Sequence, residues 1–91
     1  MNERIFKVYV KGRAVGEIRY IDYDLGLEHR NFYYEDYRTK EKNIELLAWD
    51  FDSAFWGLIF DYKEIFNCEC DDVTFSELID GRFVEMNIDE I

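Results

Sequence analysis

The chain has no proline, one histidine (His29), two cysteines and five scattered glycines. Without proline or a Gly/Ser-rich tract there is no linker signal, and 91 residues is too short for two independent cores. A single domain over residues 1–91 is expected. A hydrolytic triad needs a nucleophile beside a base, yet His29 lies between Glu28 and Arg30 in a polar stretch, and Ser53 and Ser76 sit in no recognisable elbow. No glycine opens a helix in the spacing of a phosphate-cradling loop. The two thiols, in Cys68-Glu69-Cys70, are poorly placed to bridge each other and have only His29 as a further soft ligand, too few for a closed zinc site. No apolar run approaches the ~18–20 residues of a membrane span. The start, Met1-Asn2-Glu3-Arg4, lacks the apolar stretch of a secretory leader. A cytoplasmic location is therefore expected, the host cytoplasm if the chain is phage-encoded. No catalytic constellation, cofactor or metal site is expected.

Basic residues are also scarce in one half. Residues 43–91 hold 2 Lys/Arg against 13 Asp/Glu, whereas residues 1–42 hold 9 against 8, within a net charge of −10. Acidic disordered chains are poor in aromatics, but this one carries 8 Phe, 7 Tyr and 2 Trp, enough to build a core in a small domain. A fold that preserved the charge division would have one near-neutral side and one strongly negative side. Such a field attracts cationic partners and repels nucleic acid and anionic membranes.

The hydrophobic pattern predicts an α+β domain, an antiparallel sheet packed by a long amphipathic helix. Phe6, Val8 and Val10 alternate with Ile5, Lys7 and Tyr9; Lys11-Gly12-Arg13 reads as a turn, and residues 14–21 resume the extended pattern. These form an N-terminal β-hairpin. Residues 22–30 read as a loop and 32–37 as a third strand. From Thr39 to Phe66, Ile44, Leu47, Ala48, Phe51, Ala54, Phe55, Leu58, Ile59, Tyr62, Ile65 and Phe66 recur at helical steps. One long helix or two abutting ones fit, with Thr39 as a cap and Gly57 as a break point. Asp80-Gly81 is a two-residue hairpin signal that would pair Phe75 with Met86 and Val73 with Ile88. Residues 73–79 read as a strand, or as a short helix capped by Thr74; residues 82–88 read as a strand in either case.

Two sets of side chains stand out. Asp50, Asp61 and Glu64 fall on the outer side of the predicted helix, with Asp71 and Asp72 beyond its end. One helix supplies carboxylates too sparsely to imitate a phosphate row, so Glu77, Asp80, Glu85, Asp89 and Glu90 would have to extend it. Trp49, Trp56 and Phe60 lie beside the main apolar stripe, either wrapped into the core from a second side or exposed as a docking surface. Paired carboxylates at Asp22/Asp24 and Asp50/Asp52 carry no metal expectation, because Asp50 and Asp52 diverge on a helix.

These traits point to a small acidic protein-binding inhibitor that acts as a nucleic-acid mimic. Its expected partner is a basic nucleic-acid-binding protein, as for anti-CRISPR and anti-restriction proteins of phages. Direct contact with nucleic acid or membrane is not expected. The alternative is a structural or regulatory subunit that docks or dimerises through the aromatic helix face. A small enzyme using Asp50, Asp52 or Asp61 is a third reading.

Overall fold

A computed structural model describes residues 2–22, 32–39, 44–45 and 50–88. It is an α+β domain. Six antiparallel strands, β1 (Asn2–Val10), β2 (Arg13–Asp22), β3 (Phe32–Asp36), β4 (Ile44–Glu45), β5 (Val73–Ile79) and β6 (Arg82–Met86), form one sheet in the order β4-β3-β2-β1-β5-β6. The helix α1 (Phe51–Phe66) packs against one face.

Turn chemistry sets the hairpins. Lys11 and Gly12 have φ of 52° and 80°, and Asp80 and Gly81 have 51° and 84°. These left-handed pairs match the twist of the flanking strands. Lys11-Gly12 alone makes the first turn, so Arg13 already belongs to β2, opposite Val10. At the second turn Phe75 faces Met86 as expected, which settles residues 73–79 as strand rather than a helix capped by Thr74. Val73 is paired with Val10 of β1, and β6 ends at Met86 before reaching Ile88.

Alternation then selects the buried face. Phe6, Val8 and Val10 of β1, Ile18 of β2, Phe32 and Tyr34 of β3, and Val73 and Phe75 of β5 point toward α1. A bulge opposite Val8 and Tyr9 leaves Val15 as an extra residue in β2, so Val15 and Gly16 are both buried. Helical periodicity brings Ala54, Phe55, Leu58, Ile59 and Tyr62 onto this layer. The core is largely aromatic. Phe6 meets Phe55 edge-on at 5.0 Å, Phe55 meets Phe75 at 4.7 Å, and Phe51 touches the rings of Phe6, Tyr20 and Phe32. Such pairs add about 0.5–1.5 kcal/mol each beyond their buried area.

The periodic segment yields a shorter helix than its spacing suggested. Ile44 and Glu45 pair with Tyr34 and Tyr33 as a strand, and Thr39 sits in the turn after β3. The N-cap is Asp50, whose carboxylate accepts the Ser53 amide at 2.8 Å. Leu47 and Ala48 lie outside the described residues. Gly57 causes no break; it sits on the exposed side of α1 with open space around it. Ile65, expected in the core stripe, is 55% exposed at the margin of the sheet-facing side. Asn67, in the left-handed region at φ 52°, terminates α1.

Candidate protein-docking surface

Of the residues the charge and aromatic patterns singled out, the outer surface of α1 carries Trp56, Phe60, Asp61 and Glu64. Trp56 and Phe60, one turn apart, are 37% and 58% exposed, with ring centroids 6.1 Å from each other. Of the two positions open to them, core or surface, both residues take the surface. The sheet is satisfied by the stripe through Phe55, Leu58, Ile59 and Tyr62, and α1 has no second layer over it among the described residues. Trp49 lies outside the described residues. Lys63, one turn past Phe60, places its ammonium 6.0 Å from the Phe60 ring.

The carboxylates divide among several places. Asp52, Asp61 and Glu64 are exposed on α1. Asp50 is not on the helix exterior; it caps the helix, and the Ser53 amide it accepts holds its carboxyl below the usual range. Asp71 and Asp72 belong to the 3-10 turn Cys70–Asp72. There Asp72 accepts the Glu69 amide at 3.0 Å, and its carbonyl accepts the Lys11 amide at 2.8 Å, whereas Asp71 points to solvent. Glu77 leaves the acidic row altogether, because Arg4 binds it through Nε at 2.7 Å and Nη2 at 2.8 Å. Asp80 is spent on the hairpin turn. Glu85 is exposed on β6. Asp89 and Glu90 lie outside the described residues.

Among the described residues, α1 is bordered by a groove on each side. On the β6 side, Trp56, Phe75, Met86 and Ile88 line a cavity of ≈ 330 Å³ with Asp71 at its rim, while Glu85, opposite Ser76, directs its side chain to the other face of the sheet. The turn chemistry of Asp80-Gly81, which fixes the β5–β6 register, was the signal that could have placed Met86 near the helix and Glu85 on the opposite face. On the β3 side, Asp61, Glu64 and Ile65 border a cavity of ≈ 270 Å³ with Tyr34, Asp36 and Tyr62. The fold therefore joins Trp56 to Asp71 and Asp61 to Glu64, and leaves Asp50 at the far end of the helix.

Beneath the second groove lies a polar network that the sequence pattern gave no hint of. The Tyr62 hydroxyl donates to that of Tyr34, and Tyr34 donates to Asp36. Asp36 in turn accepts the Arg38 amide at 2.8 Å and Arg38 Nε at 3.0 Å. Burial pushes Tyr34 up to about 12 and drives Tyr62 higher still, reinforced by its bond to Tyr34. Burial also acts to raise Asp36, but the bonds from Arg38 and Tyr34 outweigh it, and its carboxyl stays below the ordinary range. The Arg38 guanidinium also covers the Phe66 ring at 4.8 Å. Every partner here is satisfied from within the chain, so the network serves the fold.

Cys68 is buried with its Sγ 3.7 Å from the Tyr62 carbonyl, Cys70 is partly buried, and both are free thiols. Among the described residues no three His, Cys, Asp or Glu side chains gather as metal ligands, and no helix is long and apolar enough to cross a membrane. The chain matches no known protein-family model, no curated protein and no solved structure.

Proposed function

We propose that this chain is a non-enzymatic inhibitor that occupies the cationic, nucleic-acid-binding surface of a partner protein, in the manner of phage proteins directed against CRISPR or restriction systems. The observation that carries the reading is the exposed Trp56–Phe60 pair set among Asp52, Asp61, Glu64 and Asp71. None of these four carboxylates forms an ion pair with a described residue. Unpaired carboxylates accelerate encounter with a basic surface, and large aromatics hold the complex once formed.

The same aromatic pair supports a second reading, a regulatory subunit that docks through α1 without any nucleic-acid link. Docking of a second copy through this face is opposed by the net charge of −10 on each chain.

Competition separates the readings. The immobilised protein is used to capture basic proteins from a bacterial lysate, and the column is then developed with duplex DNA or with salt. Release of a nucleic-acid-binding protein by DNA, together with steep loss of binding between 50 and about 200 mM salt, is the expected result. Retention that neither DNA nor salt disturbs overturns the inhibitor reading and leaves aromatic docking.

A further inference from the structure

The chain solves the placing of a guanidinium twice, and by one recipe. Arg4 lies over the rings of Phe51 at 4.7 Å and Phe6 at 5.1 Å while it binds the Glu77 carboxylate with two nitrogens. Arg38 lies over Phe66 at 4.8 Å while it binds Asp36, again through its guanidinium fork. In each case a flat, weakly hydrated cation stacks on an aromatic face and satisfies its edge with a carboxylate.

The groove between α1 and the β5–β6 hairpin offers both components a third time. Trp56 supplies the best of the aromatic faces for a cation, Met86 and Ile88 complete an apolar wall, and Asp71 stands on the rim. No basic residue of the described chain lines this groove, and Asp71 has no ion pair among the described residues. The opposite groove differs on this point, since its most buried acid, Asp36, is already held by Arg38. At ≈ 330 Å³ the cavity is at the small end of ligand pockets, which span about 300–1,000 Å³. It suits one extended side chain better than an element of secondary structure.

We infer that this groove is an arginine-binding site, which receives one arginine side chain of the basic partner, stacked on Trp56 with its guanidinium on the Asp71 carboxylate. The inference rests on the proposed capture of a basic protein and specifies where and how that capture is anchored. Lysine fits less well, because a compact, strongly hydrated ammonium gains little from a flat indole and cannot form the fork.

The test uses octa-arginine and octa-lysine peptides as probes of the full chain, followed by NMR at the Trp56 indole and the Met86 methyl. Trp49→Phe removes the second indole signal. The expected result is saturable shifts at both probes with octa-arginine, and binding roughly fivefold tighter than octa-lysine. Asp71→Asn, at an exposed position, should weaken octa-arginine several-fold and reduce its advantage over octa-lysine with unchanged melting, whereas Glu85→Gln, on the other face of the sheet, should leave that advantage intact. If octa-arginine binds but shifts Asp61 and Glu64 instead, or binds no better than octa-lysine, the arginine site is overturned while acidic capture stands. If neither peptide binds at low salt, both inferences fall together.

Discussion

The Arg4 guanidinium closes a two-pronged hydrogen bond on the Glu77 carboxylate, Nε at 2.7 Å and Nη2 at 2.8 Å, across 73 residues of sequence. The pair ties β1 to β5, strands joined only by a long excursion through β2, β3, β4 and α1. It also withdraws one carboxylate from the acidic half of the chain, so this part of the surface is neutralised from within.

A double-mutant cycle on Arg4→Ala and Glu77→Gln should return a coupling of about 1 kcal/mol. That value lies near the top of the range for partly exposed pairs, because the geometry is forked and Glu77 is mostly covered. Urea titration at low and high salt measures it. A coupling indistinguishable from zero would assign the role of Arg4 to its packing on Phe6 and Phe51 alone.

Gly16→Ala should destabilise the domain by about 2 kcal/mol, in the range for overpacking a closed site. An added Cβ would stand 2.8 Å from the Glu35 carbonyl oxygen, 2.8 Å from the Tyr62 hydroxyl and 2.9 Å from Tyr34 Cε2. One of these is backbone, which cannot step aside as a flexible side chain does. The melting midpoint should fall by more than about 5 °C. An unshifted midpoint would show that the β2–β3 backbone yields easily.

Stability should decline on both sides of neutrality through one network. Tyr34 and Tyr62 are raised in the folded state, so they keep their protons where the unfolded chain, with tyrosines near pH ~10, has lost them. Their contribution is complete below pH ~10 and is lost as the pH climbs toward the folded values, by up to about 1.4 kcal/mol per pH unit for each tyrosine. Asp36 is lowered, so its contribution is present above pH ~4 and disappears as the pH falls through the folded value. Denaturant titrations of Tyr62→Phe across pH 9–12 should show a shallower alkaline loss than the parent protein. An identical slope would remove the tyrosine pair as its cause.

Trp56→Ala should change folding stability by less than about 1 kcal/mol, since surface truncations rarely exceed that, whereas Phe55→Ala should cost roughly 3–5 kcal/mol. The two residues are neighbours in sequence, one 37% exposed and the other fully buried. Equal losses from the two truncations would return Trp56 to the core and dismantle both the docking surface and the arginine site.

Much of this fold was legible from local chemistry. Alternation at Phe6, Val8 and Val10 and the turn pairs Lys11-Gly12 and Asp80-Gly81 specify hairpins because strand faces and left-handed turns depend on residues close in sequence. Charge asymmetry is likewise a property of the chain itself. The start of α1 was not readable in this way. Ile44 fits a helical stripe and a strand equally well, and it becomes a strand only because Tyr34 of β3 stands ready to pair with it. The placement of Trp56 was equally undecidable. A helix wheel gives its direction but not whether another layer covers it, and that depends on how far the sheet wraps around α1. The Tyr62–Tyr34–Asp36–Arg38 network and the groove of Trp56, Asp71 and Met86 each unite residues from separate elements. The sequence alone determined the N-terminal hairpin, the two turns and the negative half of the chain, because these follow from neighbours a few residues apart. Tertiary structure alone decided which carboxylates are neutralised and which remain free beside an exposed indole, because long-range packing assigns those partners.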